Sequence, residues 1–194
     1  MKKYSFTEET VTLETGTVLH RIKAEIDIPR YGVKAGDLGG WIEKEENLSQ
    51  EGDAWVSDNA QVYDNARIYD NALVYDNAQV YEGARIYDDA RVYDKALIYG
   101  NARVYEGARI YGAAGVCGNA WVHGKTWIYG YALVYGETWV FDNARIYGNA
   151  RIYGYAWVYG NAWIYCNSRV YGDSRVNGNA RVCNKRVKGH ANLK

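Results

Sequence analysis

The sequence is poor in several residue types that fill a globular core or cross-link a small domain. Its 194 residues include only 2 Phe, 1 Met, 1 Pro and 3 Cys. Cys117, Cys166 and Cys183 are an odd and sparse set, so we expect no disulfide framework. No stretch is apolar for long enough to span a membrane, and residues 1–9 lack the apolar run of a signal peptide. A cytoplasmic location is therefore expected.

The sequence also lacks net charge, because 23 Lys and Arg balance 23 Asp and Glu. This balance is not local. Residues 1–143 hold 14 basic and 22 acidic residues, a net charge of −8, whereas residues 144–194 hold 9 basic and 1 acidic residue, a net charge of +8. Overall neutrality argues against binding to bulk nucleic acid, and the uneven distribution predicts an acidic and a basic end.

What the sequence has in abundance is polar aromatic residues and a short repeat. There are 20 Tyr and 7 Trp, which are seldom fully buried, so we expect many aromatic rings on the surface. From residue 54 to residue 185 the chain divides into 22 consecutive hexads without an insertion, for example ALVYDN and AQVYEG. A fixed short period is a strong indication of a repeat architecture.

The residue type at each hexad position predicts a short strand followed by a corner. Position 1 is always Ala, Ser or Thr and position 3 is always Val or Ile, and alternation along a strand puts both on the inward side. Positions 5 and 6 are pairs such as Asp-Asn or Glu-Gly, which tolerate the left-handed backbone of a corner. The predicted fold class is all-β, a single-stranded parallel β-helix with three strands in each triangular turn. Twenty-two hexads make about seven turns, about 35 Å long at a strand spacing of about 4.8 Å.

Two parts of the chain resemble known families. The inward spacing, as in Val62-Tyr-Asp-Asn-Ala66, resembles the left-handed β-helix hexapeptide family over residues 54–185. That resemblance implies a left-handed helix, although the general crossover rule favours the right hand. Before the repeat, Gly39-Gly40-Trp41 and the run Asn-Leu-Ser-Gln at 47–50 resemble the opening of uncharacterised YdcK-like hexapeptide proteins of bacteria and phages.

The remaining segments suggest how the β-helix ends. Residues 11–22 alternate like a β-hairpin around residues 14–16. We therefore predict a β-hairpin cap over residues 1–53, the β-helix over 54–185 and a basic tail or cap over 186–194. A cap at the N-terminal end would cover strand edges that otherwise promote aggregation.

A period of 18 residues sorts the outward side chains into three faces. On the third face three Trp follow one another beside His, Phe and Tyr, with Arg on either side. Such an aromatic plate suits stacking on a sugar, on a base or on another copy of the chain, or serves only to stabilise stacked strands. On the second face a Gly and a Cys replace two large side chains. They predict a notch that is a docking groove, a subunit contact or simple decay of the repeat. The predicted ligand-binding residues are Arg103, Gly115, Cys117, Trp121, His123, Trp139, Phe141, Trp157 and Arg175.

No catalytic constellation is apparent. The histidines are His20, His123 and His190, and none lies in a loop inserted between hexads, whereas the hexapeptide acyltransferases that this fold resembles need a catalytic His as general base. His123 and Cys117 are one hexad apart and therefore on different faces, which is the wrong spacing for a nucleophile–base pair or a metal site. We predict no catalytic residue, no metal and no cofactor.

These features favour a non-enzymatic binding or scaffolding protein, encoded by a bacterium or a phage and acting on a host component or a small ligand. The alternatives are a degenerate relative of the hexapeptide acyltransferases and a structural spacer of a virion or appendage. The expected partners are a second copy of the chain and a protein, nucleotide or carbohydrate ligand, with no membrane. Self-association would use a flat face or end-to-end contacts between opposite charges.

Overall fold

The computed structural model of the chain describes residues 2–189 and 192–193. These residues form short strands and two 3-10 helices, Pro29–Tyr31 and Glu45–Asn47. The strands are β1 (Tyr4–Thr12), β2 (Val18–Ala24), β3 (Leu38–Ile42), β4 (Trp55–Val56), β5 (Gln61–Val62), β6 (Arg67–Ile68), β7 (Leu73–Val74), β8 (Gln79–Val80), β9 (Arg85–Ile86), β10 (Arg91–Val92), β11 (Leu97–Ile98), β12 (Arg103–Val104), β13 (Arg109–Ile110), β14 (Gly115–Val116), β15 (Trp121–Val122), β16 (Trp127–Ile128), β17 (Leu133–Val134), β18 (Trp139–Val140), β19 (Arg145–Ile146), β20 (Arg151–Ile152), β21 (Trp157–Val158), β22 (Trp163–Tyr165), β23 (Arg169–Tyr171), β24 (Arg175–Val176), β25 (Arg181–Cys183), β26 (Arg186–Lys188) and β27 (Asn192–Leu193).

The strands form three sheets, one for each predicted face. Sheet 1 has the order β1-β2-β3-β5-β8-β11-β14-β17-β20-β23-β26, sheet 2 runs from β4 to β25, and sheet 3 runs from β6 to β27. Within the repeat each strand pairs in parallel with the third strand after it, for example β11 with β14. The predicted all-β parallel solenoid is confirmed, while its left-handed sense and triangular outline stay predictions.

The core is as narrow as the hexad pattern predicts. In all 22 hexads the residues at positions 1 and 3 are buried, and none of them is more than 7% exposed. One small and one β-branched residue from each hexad therefore fill the interior, and their tight packing leaves no space for a larger side chain.

The corners explain why acidic residues are concentrated in the first half of the repeat. Position 5 has a positive φ in every hexad, a conformation that Gly, Asn and Asp adopt most readily. Where it is acidic, its carboxylate commonly accepts a hydrogen bond from the position-5 N–H of the next turn, as between Asp76 and Asp94 at 3.2 Å. Asp or Glu holds this position in most hexads up to Glu106, and Gly holds it in most later ones. Much of the acidic excess of the first half is thus part of the corner structure.

The solenoid has about eight turns, one more than predicted, because it extends beyond the hexads at both ends. At the start, Trp41 and Ile42 of β3 pair in parallel with Gln61 and Val62, and Leu48 bridges Ile68. At the end, β26 and β27 extend sheets 1 and 3. Irregular spacing hid both turns, since the first register offset is 20 residues and β26 is offset by 17 from β23.

The predicted N-terminal hairpin is confirmed, because β1 pairs with β2 antiparallel and β2 continues onto β3. This extension closes one edge of sheet 1. The Lys3 ammonium donates to the carbonyl of Ala54 at 2.8 Å, and the Tyr4 hydroxyl donates to that of Leu48 at 2.7 Å. Gly39 is required for close approach, because a Cβ there would lie 2.7 Å from the ring of the buried Trp55.

The expectation that the cysteines form no disulfide is wrong for one pair. Cys166 and Cys183 are joined, with their Cα atoms 5.2 Å apart, while Cys117 is free. Residues one turn apart in a solenoid are neighbours, and the last turn is one residue short. Cys166 at position 5 of one turn therefore meets Cys183 at position 4 of the next. A count of cysteines alone could not reveal this pairing, whereas the repeat period could.

Candidate binding site

The three Trp of the predicted plate lie on adjacent strands of sheet 3 and stack on one another. The ring centroids of Trp121 and Trp139 are 4.6 Å apart with planes at 20°. Those of Trp139 and Trp157 are 5.8 Å apart with planes at 30°. The stack is therefore close between the first two rings and opens toward the third.

The neighbouring column on sheet 3 is also continuous. His123 stacks between Tyr105 and Phe141 at 4.7 and 5.3 Å, and Phe141 stacks on Tyr159 at 4.9 Å. The His123 Nδ1 atom lies 3.6 Å from a carboxylate oxygen of Glu106. A His–carboxylate pair is one element of a general base, but both faces of this imidazole are covered by rings. The geometry favours a structural role for His123 in the ladder.

Arginines close the Trp column at both ends. The Arg103 guanidinium lies 4.4 Å from the Trp121 ring centroid, and that of Arg175 lies 5.2 Å from the Trp157 centroid. Cation–π contacts of this kind stabilise by about 0.5–1 kcal/mol at exposed sites. The structure thus brings together seven of the nine predicted binding residues, namely Arg103, Trp121, His123, Trp139, Phe141, Trp157 and Arg175.

Most ring faces in this ladder are already in contact with another ring or with a guanidinium. Stacked rings offer mainly their edges to a ligand, so the closed part of the ladder contributes chiefly to stability. The exception is the open end, where Trp157 is 38% exposed and Tyr155, two residues earlier, is 59% exposed. Sequence reasoning missed Tyr155. The signal was a Tyr at position 6, the position that Asn holds in half of the hexads.

The other two predicted residues, Gly115 and Cys117, lie on sheet 1 and not beside the Trp column. Leu133 leans over Gly115, because a Cβ at residue 115 would come within 2.8 Å of the Leu133 Cδ2 atom. A hydrogen bond with Cys117, followed by burial, raises the pKa of the Tyr99 hydroxyl to about 12. The notch is thus a shallow, uncharged depression on another face.

Other candidate sites are few. A hollow of about 390 Å³ separates the second 3-10 helix from sheet 3, and it is lined by Glu46, Ser49, Arg67, Ile68, Tyr69 and Arg85. Among the described residues, no group of three His, Cys, Asp or Glu side chains is arranged to hold a metal ion. His20 packs against Phe6 in the cap, and His190 lies outside the described residues. The helices within the described part of the chain are too short to cross a membrane.

Comparison with known proteins supports the repeat. Four stretches match the family model described as YdcK Beta solenoid repeat, namely residues 66–82, 84–98, 96–112 and 144–160. These matches lie in the repeats and not in residues 39–50, on which the resemblance to YdcK-like proteins was based. No curated protein matches the chain. The three sheets and these four matches together make the chain a β-solenoid repeat protein with repeats similar to those of YdcK.

Proposed function

We propose that the chain is a non-enzymatic binding protein, and that its ligand binds at the open end of the Trp column. The observation that carries this proposal is the exposed pair Tyr155 and Trp157, 59% and 38% exposed, with the Arg175 guanidinium 5.2 Å from the Trp157 ring. Exposed rings beside a cation suit a flat ligand that carries a negative charge. The net charge of +8 over residues 144–194 attracts the same class of ligand.

An acidic oligosaccharide fits this site better than a nucleic acid does. The C–H face of a sugar packs on an aromatic ring, while its carboxylate can bind an arginine. Nucleic acid binding usually requires a track of many basic side chains along the phosphates. On sheet 3 the corresponding column has Trp on three successive strands, β15, β18 and β21. The scaffold is rigid, so it would pay little ordering entropy on binding.

A substitution at a corner tests the proposal without disturbing the core. Tyr155→Asn introduces the commonest residue at hexad position 6, so the fold should be retained. With oligogalacturonate as the probe and Trp fluorescence as the signal, we expect the dissociation constant to rise roughly tenfold, as for loss of one stacking ring. The matched control is Tyr131→Asn, which removes an equally placed Tyr, 71% exposed, at another corner.

Three outcomes distinguish the alternatives. Equal affinity in Tyr155→Asn and the parent protein would contradict the proposed site. Equal binding of neutral maltohexaose would remove the acidic group from the proposal. If neither sugar binds and a short oligonucleotide does, the ligand class is wrong. The absence of binding to all three probes would favour the spacer function.

A further inference from the structure

Sheet 1 carries a long uncharged strip that neither of the other sheets has. On five successive strands, β5 to β17, both outward columns lack a charged side chain. The outward residues are Gln61, Tyr63, Gln79, Tyr81, Leu97, Tyr99, Gly115, Cys117, Leu133 and Tyr135. Over comparable strands, sheet 2 presents Arg91 and Arg109 and sheet 3 presents Arg85 and Arg103. On sheet 1 the strip leaves Leu97 38% and Leu133 37% exposed.

The smallest side chains lie on the middle strand of this sheet. Its nine parallel strands are β3, β5, β8, β11, β14, β17, β20, β23 and β26. The fifth of them is β14, where Gly115 and Cys117 take the two outward positions. Leu97 and Leu133 lie one strand to either side. The surface is therefore lowest at its centre and has a leucine on each side.

Charges are distributed oppositely about the same centre. On the C-terminal side, outward arginines are Arg151, Arg169 and Arg186. On the N-terminal side, acidic residues flank the sheet at the corners, with Asp58, Asp76 and Asp94 along one edge and Asp64 and Glu82 along the other. Within the described chain none of these eight residues is in a salt bridge. Opposite charges thus lie on either side of β14 with no partner in the same molecule.

From this arrangement we infer that sheet 1 is the interface of an antiparallel homodimer with a two-fold axis through β14. The axis brings each residue of β14 close to its own copy, which small side chains allow. Leu97 then faces the partner's Leu133, and this contact occurs twice. Arg169 faces the partner's Gln61 and the acidic corners beside it. A parallel pair would place like charges together, which electrostatic complementarity disfavours.

The size of the surface predicts a weak dimer. Nine strands spaced by about 4.8 Å give a length of about 40 Å, and a width of about 15 Å buries about 600 Å² per protomer. This area is at the low end for specific interfaces. Attraction between exposed charges is screened at high salt, so the dimer should dissociate as the salt concentration rises. The ligand site proposed on sheet 3 stays free in this arrangement, and the two proposals are independent.

Sedimentation velocity tests the charge pairing with a matched pair of variants. Arg169→Glu reverses a charge on sheet 1, while Arg181→Glu makes the same change on sheet 2, at the same hexad position and in the same basic half. We expect the dimer dissociation constant to rise roughly tenfold in Arg169→Glu, because the pair occurs twice, and to change little in Arg181→Glu. A protein that is monomeric at both low and high salt would overturn the proposal, as would equal effects of the two variants.

Cross-linking tests the orientation. Cys117 lies near the proposed axis and is the free cysteine among the described residues, so a short bismaleimide should join two copies at low salt. In a Cys117→Ser background, Tyr63→Cys should not cross-link, because the two copies of residue 63 are six strand spacings apart in the antiparallel dimer. Efficient cross-linking through residue 63, or a trimer in sedimentation, would show a parallel assembly and overturn the inference.

Discussion

At the scale of single residues, the small position of the hexad shows how one polar atom is accommodated in a narrow core. Position 1 is Ala in most turns but Thr at residues 126 and 138. The Thr126 hydroxyl donates to the His123 carbonyl at 2.7 Å, which satisfies it within the corner. The buried Thr138 hydroxyl has no hydrogen-bond partner among the described residues. A buried hydroxyl without a partner costs about 1–3 kcal/mol.

We therefore expect the same substitution to have opposite effects at these two residues. Thr138→Val replaces an unsatisfied hydroxyl by a methyl group of similar size and should raise the free energy of unfolding by about 1 kcal/mol. Thr126→Val removes a hydrogen bond and should lower it by about 1 kcal/mol. Urea unfolding followed by circular dichroism measures both. Destabilisation of equal size in the two variants would show that packing, rather than hydrogen bonding, decides.

Residues that obey the hexad could be placed from the sequence, and residues that depart from it could not. The stacking of Trp121 on Trp139 follows from their 18-residue separation. The open geometry at Trp157 and the exposure of Tyr155 depend on how far each ring tilts, and the period carries no information about tilt. Leu133 leans over Gly115 for a similar reason, because a missing side chain lets its neighbour change rotamer.

At the scale of elements, the last turn is where the repeat loses its regularity. Its outermost strands, β25 to β27, have a neighbour on one side only, and the Cys166–Cys183 disulfide joins β25 to the preceding corner. In a solenoid each turn contacts only its neighbours, so the stability of a terminal turn is local. The sequence predicted a basic tail here because a one-residue deletion ends the strict period after Asn184.

Removing the disulfide should therefore loosen the end of the solenoid and leave the middle intact. Closing a loop of this length contributes about 3 kcal/mol in the chain-entropy description. We expect Cys183→Ser to speed amide hydrogen exchange in β25 and β26 by roughly a hundredfold, with β10 to β17 unchanged. Cys117→Ser is the control and should change neither region. Uniform loss of protection throughout the chain would contradict the local model.

At the scale of the whole molecule, the long tyrosine ladders make stability depend on a single chemical group. Tyr63 stacks on Tyr81, and Tyr87 stacks on both Tyr69 and Tyr105, at centroid distances of 4.8 to 5.1 Å. These ladders run along the solenoid, where each ring covers part of the next. Burial raises the pKa of Tyr63 and Tyr87 to about 12, with a further contribution from neighbouring tyrosines that would repel one another if ionised. The ordinary tyrosine pKa is 10.0.

A folded-state pKa above the unfolded value means that the folded chain holds its protons more tightly. The stabilisation from these tyrosines is therefore complete below pH 10 and is lost as the pH rises through about 12. Lys3 acts in the opposite sense, because burial lowers its pKa from 10.5 to about 8. Its charging penalty disappears between those values, so stability gains from Lys3 up to pH 10.5 before the loss from the tyrosines dominates.

The free energy of unfolding should thus pass through a maximum near pH 10 and fall steeply above it. Urea unfolding at a series of pH values measures this profile. Tyr63→Phe with Tyr87→Phe keeps the stacked rings but removes two ionisable hydroxyls, so the fall above pH 10 should be shallower in the double variant. Lys3→Met should abolish the rise between pH 8 and pH 10.5 and leave the fall unchanged. A parent protein equally stable at pH 9 and pH 12 would show that ring burial does not control its alkaline stability.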